Sequence, residues 1–197
     1  MISEERYNTL KEKYGDAGSW AIWAPERETP TSNVGNMSVF SNPDICKTLN
    51  PNYVFVGLNR STIYAEGGAD SLPAWNNYHS SSGLHNDYKL RYALKDTKYW
   101  GAYMTDIIKR HVNVDAPQVL TFIKHNPDIR DKNFEWFREE LRILGTKPVL
   151  VAMGSHVAKI LHEFFGDEYK IIDVMHFSYA ISKENYRKRL LEKLAEI

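Results

Sequence analysis

An amide and an imidazole stand at the ends of two apolar runs in this chain. Asn59 directly follows Tyr53 to Leu58, and His176 directly follows Ile171 to Met175. An imidazole can give or take a proton near neutral pH, and an amide can orient a water molecule although it is a poor base. Two further places carry a helix start and charge. The backbone N–H groups at Gly154 and Ser155 open a helix, and such an end attracts phosphate or a developing negative charge. Lys109 and Arg110 follow the run Ala102 to Ile108 and are suited to neutralising phosphates. Taken alone, Asn59 is equally a turn former, and His176 equally a partly buried imidazole bonded to a backbone carbonyl. Their paired position at strand ends is what points to a site.

The elements that must position these residues are legible in the pattern of the chain. Ser3 caps a helix that carries Tyr7, Leu10 and Tyr14 on one face and stops at Gly15, and Ser19 to Ala24 reads as an edge strand. From Pro25 to Asn52 the prolines and many Ser, Thr and Asn residues predict a long irregular excursion. Regular alternation follows. The apolar run Tyr53 to Leu58 predicts a strand, Asp87 to Lys95 a helix, and Ala102 to Ile108 a second strand. One helix is expected after Asp115-Ala116-Pro117, with Leu120 and Ile123 inward, ending before Pro127. Another is expected from Asp131, with Phe134, Phe137, Leu141 and Leu144 inward, ending at Gly145. Val149 to Met153 reads as a buried strand, and the Gly154-Ser155 helix carries Val157, Ile160, Leu161 and Phe164 up to Gly166. Ile171 to Met175 reads as the last strand, before a Ser182-capped helix with Tyr186, Leu190, Leu194 and Ile197 inward.

Strand alternating with helix implies parallel neighbours joined by right-handed crossovers. The expected fold class is α/β: three-layer α/β/α around a central, mostly parallel four-stranded sheet. The whole of residues 1–197 is expected to form a single domain, with 1–52 as an N-terminal helix and irregular extension. Ligands of such sheets bind beyond the carboxyl ends of the strands, where strand order reverses. That rule selects Asn59 to Ser61, Asp106 to Arg110, Gly154 to His156 and His176 to Ser182.

Composition narrows the function classes. A chain of 197 residues with equal numbers of acidic and basic side chains has no global field to attract nucleic acid, so any such binding must use a local patch. Cys46 is the single cysteine, which excludes an internal disulfide and a thiolate metal cluster and suits a reducing compartment. His79 and His85 have no carboxylate or cysteine pattern around them, so no metal site is expected there. No apolar stretch is long enough to span a membrane and the acidic start is unlike a signal peptide, so we expect a cytoplasmic monomer without a membrane partner. Neither Gly-x-x-x-x-Gly-Lys nor Gly-x-Gly-x-x-Gly occurs, which disfavours nucleotide kinases and dinucleotide oxidoreductases.

Several segments resemble motifs of the uracil-DNA glycosylase superfamily, most closely its mismatch-specific and single-strand-selective branch. Gly57-Leu58-Asn59-Arg60-Ser61 is similar to the Gly-x-Asn-Pro-Ser segment that follows its first strand. His176-Phe177-Ser178 is similar to the His-Pro-Ser segment that follows its last. Thr105 to Arg110 and Met153-Gly154 look like the intervening motifs, in the same order. The resemblance runs from about Tyr53 to the C-terminus. It departs at Arg60 and Phe177, where the family carries proline, and proline is what rigidifies those loops.

The resemblance implies hydrolysis of the N-glycosidic bond of uracil or a related damaged base in DNA, without metal or cofactor. His176 would donate to a base carbonyl as negative charge grows on the departing base, and Asn59 would position water. The flipped base would sit in a pocket near Gly57, Leu58 and Ser178, stacked on an aromatic ring of the following loop. Trp75 is the first choice for that ring, with Tyr64 and Tyr78 as alternatives. Phe177 and Tyr179 would probe the duplex. Arg60, Ser61, Lys109, Arg110, Ser155, Lys183 and Arg187 would contact DNA, the partner expected on this reading. The alternatives are a protein of the same fold that binds a free nucleobase, nucleotide or nucleic acid without cleaving it, and a hydrolase of free nucleosides.

Overall fold

The molecule is described by a computed structural model covering residues 1–60, 73–82 and 84–196. A five-stranded sheet has the order β1-β3-β2-β4-β5. Strands β2 (Asn50–Asn59), β3 (Ala102–Ile108), β4 (Val149–Met153) and β5 (Ile171–Val174) are parallel, and β1 (Ser19–Trp20) pairs antiparallel with β3. The expected count of four strands is therefore corrected to five. Only Ser19 and Trp20 of the expected edge segment join the ladder, opposite Met104 and Tyr103.

The helices are α1 (Glu4–Tyr14), α2 (Ile45–Thr48), α3 (Asp87–Leu94), α4 (Ala116–His125), α5 (Pro127–Leu144), α6 (Ser155–Phe165) and α7 (Lys183–Leu194). Four of them, α1, α4, α5 and α7, have a clear local cause. Ser3, Asp115 and Ser182 accept N–H groups of the first turns of α1, α4 and α7. Gly145 ends α5 in the left-handed conformation, with φ of 71°. Helix α5 begins at Pro127 rather than Asp131, because proline at the first helical position has no N–H to lose. In α6 the fully buried aromatic is Phe165, and Phe164 packs only partly, against Phe134. The segment read as irregular contains a 3-10 turn at Met37–Ser41 and the short α2, and β2 starts at Asn50 through an irregular register before Val54. Ile197 lies outside the described residues.

The pleat of β2 divides the core. Val54 and Val56 enter a cluster with Leu10 of α1, Val119 of α4, Phe137 of α5 and Leu161 of α6. Phe55 enters another, with Leu90 of α3 and Leu190 of α7. Helices thus cover both sheet faces, which fits the near-continuous apolar content of the central strands. Since β3 lies on one side of β2 and β4 on the other, strand order reverses between β2 and β4. The crevice expected at that reversal is the site.

Candidate functional site

The carboxyl ends of β2 to β5 open onto a cleft of about 880 Å³ lined by both Asn59 and His176. Period-two alternation places Gly57 on the same face as Phe55, opposite Asp106 of β3. A Cβ at Gly57 would lie 2.4 Å from both Asp106 Oδ1 and Tyr78 Oη. Glycine is therefore what admits the pair beside it, in which the Tyr78 hydroxyl donates to Asp106 Oδ1 at 2.6 Å. Asn77 Nδ2 donates to Asp106 Oδ2 at 2.8 Å and to the Ala17 carbonyl at 2.7 Å. Burial pushes the Asp106 carboxyl above its ordinary range, against these donors and the nearby Lys109 charge.

The turn that presents Asn77 and Tyr78 is strained. Trp75 and Tyr78 both take the left-handed region, with φ of 70° and 62°. Such strain persists only where surroundings over-determine it, and here Trp75 is the anchor. Its ring is fully buried among Tyr7, Trp20 and Tyr103, its Nε1 donates to the Tyr7 hydroxyl at 2.9 Å, and its backbone N–H donates to the Gly15 carbonyl at 2.8 Å. Trp75 therefore does not line the cleft, which corrects the expectation that it stacks on a base. An aromatic in a polar loop looked available, but the apolar faces of α1 and β1 claim it.

Across the cleft, Gly154 takes a φ of 98° that side-chain-bearing residues rarely adopt, and the loop after β5 passes it in ordinary contact through His176. His176 Nδ1 accepts from the Ser178 N–H at 3.2 Å and lies 2.7 Å from the Ser178 hydroxyl. Burial lowers the imidazole to about 4, so the ring is neutral at pH 7, its Nδ1 is an acceptor, and its one proton sits on Nε2. The ring stacks on Phe177 at 4.3 Å, and Phe177 meets Tyr78 edge-on at 6.1 Å. A continuous floor thus runs from His176 through two aromatic rings to Asp106. Phe177 is buried in that floor and packs into the core with α7, so it is a pocket residue rather than the expected duplex probe. Tyr179 is 60% exposed at the mouth and is free to act outward.

Asn59 is committed in an unforeseen way. Its Nδ2 donates to the carbonyls of Arg60, His111 and Asn113 at 2.9, 3.0 and 2.9 Å. These acceptors fix the amide orientation and tie the end of β2 to the loop after β3. Its Oδ1 receives no hydrogen bond among the described residues and is the atom left to orient a ligand or water.

The expected basic rim is largely corrected. Lys109 is buried, 2.6 Å from Glu140 Oε2, because the pleat turns it inward toward α5. Arg110 pairs with Asp16 at 3.1 Å and lies over the Trp136 ring. Arg187 donates to the carbonyls of Tyr92 and Lys95 and so closes the end of α3. Lys183 sits over the Tyr92 ring, 3.8 Å from Glu26. None of these four lines the cleft, whereas Arg60 does, held by the Asp16 carbonyl and Asn76 Oδ1. Leu58, Ser155 and Ser178 also line the cleft. Ser61 and Tyr64 lie outside the described residues.

Sequence reasoning placed Asp106 at the crevice only as the start of the segment Asp106 to Arg110 and gave it no role, and it passed over Asn77 and Asp87 of the cleft. Asp106 had a signal, a carboxylate inside the apolar run Ala102 to Ile108. Asp87 had none, since an acid opening a helix is ordinary. Among the described residues no group of three or more metal-ligating side chains comes together. No protein-family model and no curated protein matches the chain.

Proposed function

We propose that the cleft binds a nucleobase and that the protein hydrolyses the N-glycosidic bond of uracil or a related damaged base, as in the uracil-DNA glycosylase-like three-layer fold it resembles. The observation that carries this is the contact of His176 Nδ1 with the Ser178 N–H and hydroxyl. A neutral imidazole whose Nδ1 is occupied by Ser178 offers Nε2–H as a fixed donor at one end of an aromatic floor. Such a donor stabilises negative charge on a departing base carbonyl more than it stabilises the neutral ground state. Asn59 Oδ1 orients the attacking water, and Tyr78 and Phe177 pack against the base. The chemistry rests on leaving-group stabilisation and positioning, since no strong base is supplied by an amide.

One observation favours a second reading, a non-catalytic nucleobase or nucleotide binder. The cations expected to hold a phosphate backbone are engaged within the protein. The experiment that separates the readings is base release from uracil-containing oligonucleotides, single-stranded and mismatched, under single-turnover conditions with excess protein. Release by the wild type, with His176→Ala slowed about a hundredfold to a thousandfold and binding nearly unchanged, supports the enzyme. Binding without release supports the binder.

A further inference from the structure

Asp87 opens α3 inside the cleft rather than on its surface. Acids in a first helical turn complement the positive end of the helix, and they normally stay in water. Asp87 is only 5% exposed. Its Oδ2 accepts the Ser80 N–H at 2.8 Å, while Oδ1 receives no donor among the described residues, and the residue lines the cleft. A second buried carboxyl, Asp106, opposes its ionisation. The cation that favours it, Arg60, gives its own hydrogen bonds to the Asp16 carbonyl and to Asn76. Satisfying Ser80 requires only an acceptor, which Asn, Ser or Thr would supply without burying a charge beside another acid. Among the described residues the open oxygen has no partner in the fold.

We propose that Asp87 selects the base: its Oδ1 accepts a hydrogen bond from the ring N–H of an imide pyrimidine such as uracil, and the site rejects a ring that presents an acceptor at that position. This rests on the reading of the cleft as a nucleobase site. An unmatched buried polar pair is what separates closely shaped ligands, by about ten- to a hundredfold. The substitution Asp87→Asn reverses the chemistry at nearly constant shape. The amide oxygen keeps the Ser80 N–H, and the NH2 replaces Oδ1, so an acceptor becomes a donor.

The test titrates free uracil, N3-methyluracil and cytosine into the wild type and Asp87→Asn, followed by NMR, with thermal melting as a check of folding. The wild type is expected to bind uracil at least tenfold more tightly than the other two at pH 7.5, and the variant to lose or reverse that order. A second measurement needs no variant. Burial and Asp106 raise Asp87 to about 6, so uracil binding by the wild type should weaken as pH falls from 7.5 to 5. The charged and titratable groups that act on or are acted on by Asp87 are Asp106 of β3, Arg60 after β2 and Tyr78 of the preceding turn, and His85, His156 and His176 line the same cleft. Loss of this pH dependence in Asp87→Asn isolates Asp87 from them. A folded Asp87→Asn with the wild-type order of bases, or wild-type uracil affinity flat from pH 7.5 to 5, overturns the inference and leaves the nucleobase reading standing. A wild type that binds neither a free base nor a uracil-containing oligonucleotide overturns that reading, and the inference with it.

Discussion

Strand β3 has a buried acid on each side, and the two are held differently. Thr105 and Asp106 are neighbours, so the pleat points them to opposite faces. On the Thr105 side, Glu140 of α5 accepts the hydroxyls of Tyr103 and Thr105 at 2.8 Å each, and the Lys109 ammonium lies 2.6 Å from it. On the other side, Asp106 is held by the neutral donors of Tyr78 and Asn77, and Asp87 by one backbone N–H. Where the acid only joins a helix to a strand, the chain supplies a cation in contact with it. Where acids face the cleft, it supplies orientation and leaves their proton chemistry open. On the proposed reading of the cleft, the cost of burial on that side is offset by a ligand that uses those groups.

The sharpest way to break this comparison is Lys109→Met. It would strand Glu140 as an uncompensated buried charge, and it is expected to cost about 3 to 5 kcal/mol by chemical denaturation, with Glu140→Gln in the same chain recovering most of it. A loss below about 1 kcal/mol would mean that the ion pair is not what separates the two sides.

Next in size is Gly57→Ala, expected to cost about 1 to 3 kcal/mol, because its methyl group must displace the Tyr78–Asp106 pair. The same change in a Tyr78→Phe background should cost clearly less, since one of the two atoms it strikes is gone. Additive costs in that cycle would place the strain elsewhere.

The smallest effect has the opposite sign. Asp87 sits at about 6 in the fold against an ordinary 3.8, so the folded state binds the proton more tightly than the unfolded chain. Its destabilisation is absent below 3.8, grows as pH rises, and is complete above 6. Asp87→Asn should therefore raise stability at pH 8 by about 1 to 2 kcal/mol, less than the full shift implies because Oδ1 stays open to the cleft, and give no gain at pH 3.5. His176 works the other way. Lowered from 6.5 to about 4, it contributes stability that is present above 6.5 and lost as pH falls toward 4. In the wild type the two slopes oppose one another. Melting curves of Asp87→Asn should thus fall more steeply with acidification between pH 6 and 4 than those of the parent.

The parallel strands were legible because runs such as Val54 to Val56 and Leu150 to Ala152 are apolar without alternation, the mark of burial on both faces. Asn59 and His176 were legible for the same reason, since a polar residue ending such a run must emerge at the carboxyl edge. What failed needed partners distant in sequence. Lys109 reads as a rim cation until Glu140 in α5 is brought against it. Trp75 reads as a loop aromatic until Tyr7 and Trp20 enclose it. Asp87 reads as a helix-start acid because nothing nearby in the chain announces that Asp106 and Arg60 will face it. Periodicity reports which face a residue takes, and it is silent on what occupies that face.

The anchoring of the turn from Trp75 to Tyr78 has a consequence for motion. Its backbone and side chains are fastened to Gly15, Ala17 and Tyr7, so the cleft wall shares a fate with the first twenty residues of the chain. Amide hydrogens of this turn should exchange with solvent only through openings that also release α1, at rates tracking that larger unit rather than those of a surface loop. Loosening the amino-terminal helix, far from any reacting atom, would disassemble the wall that carries Asn77 and Tyr78.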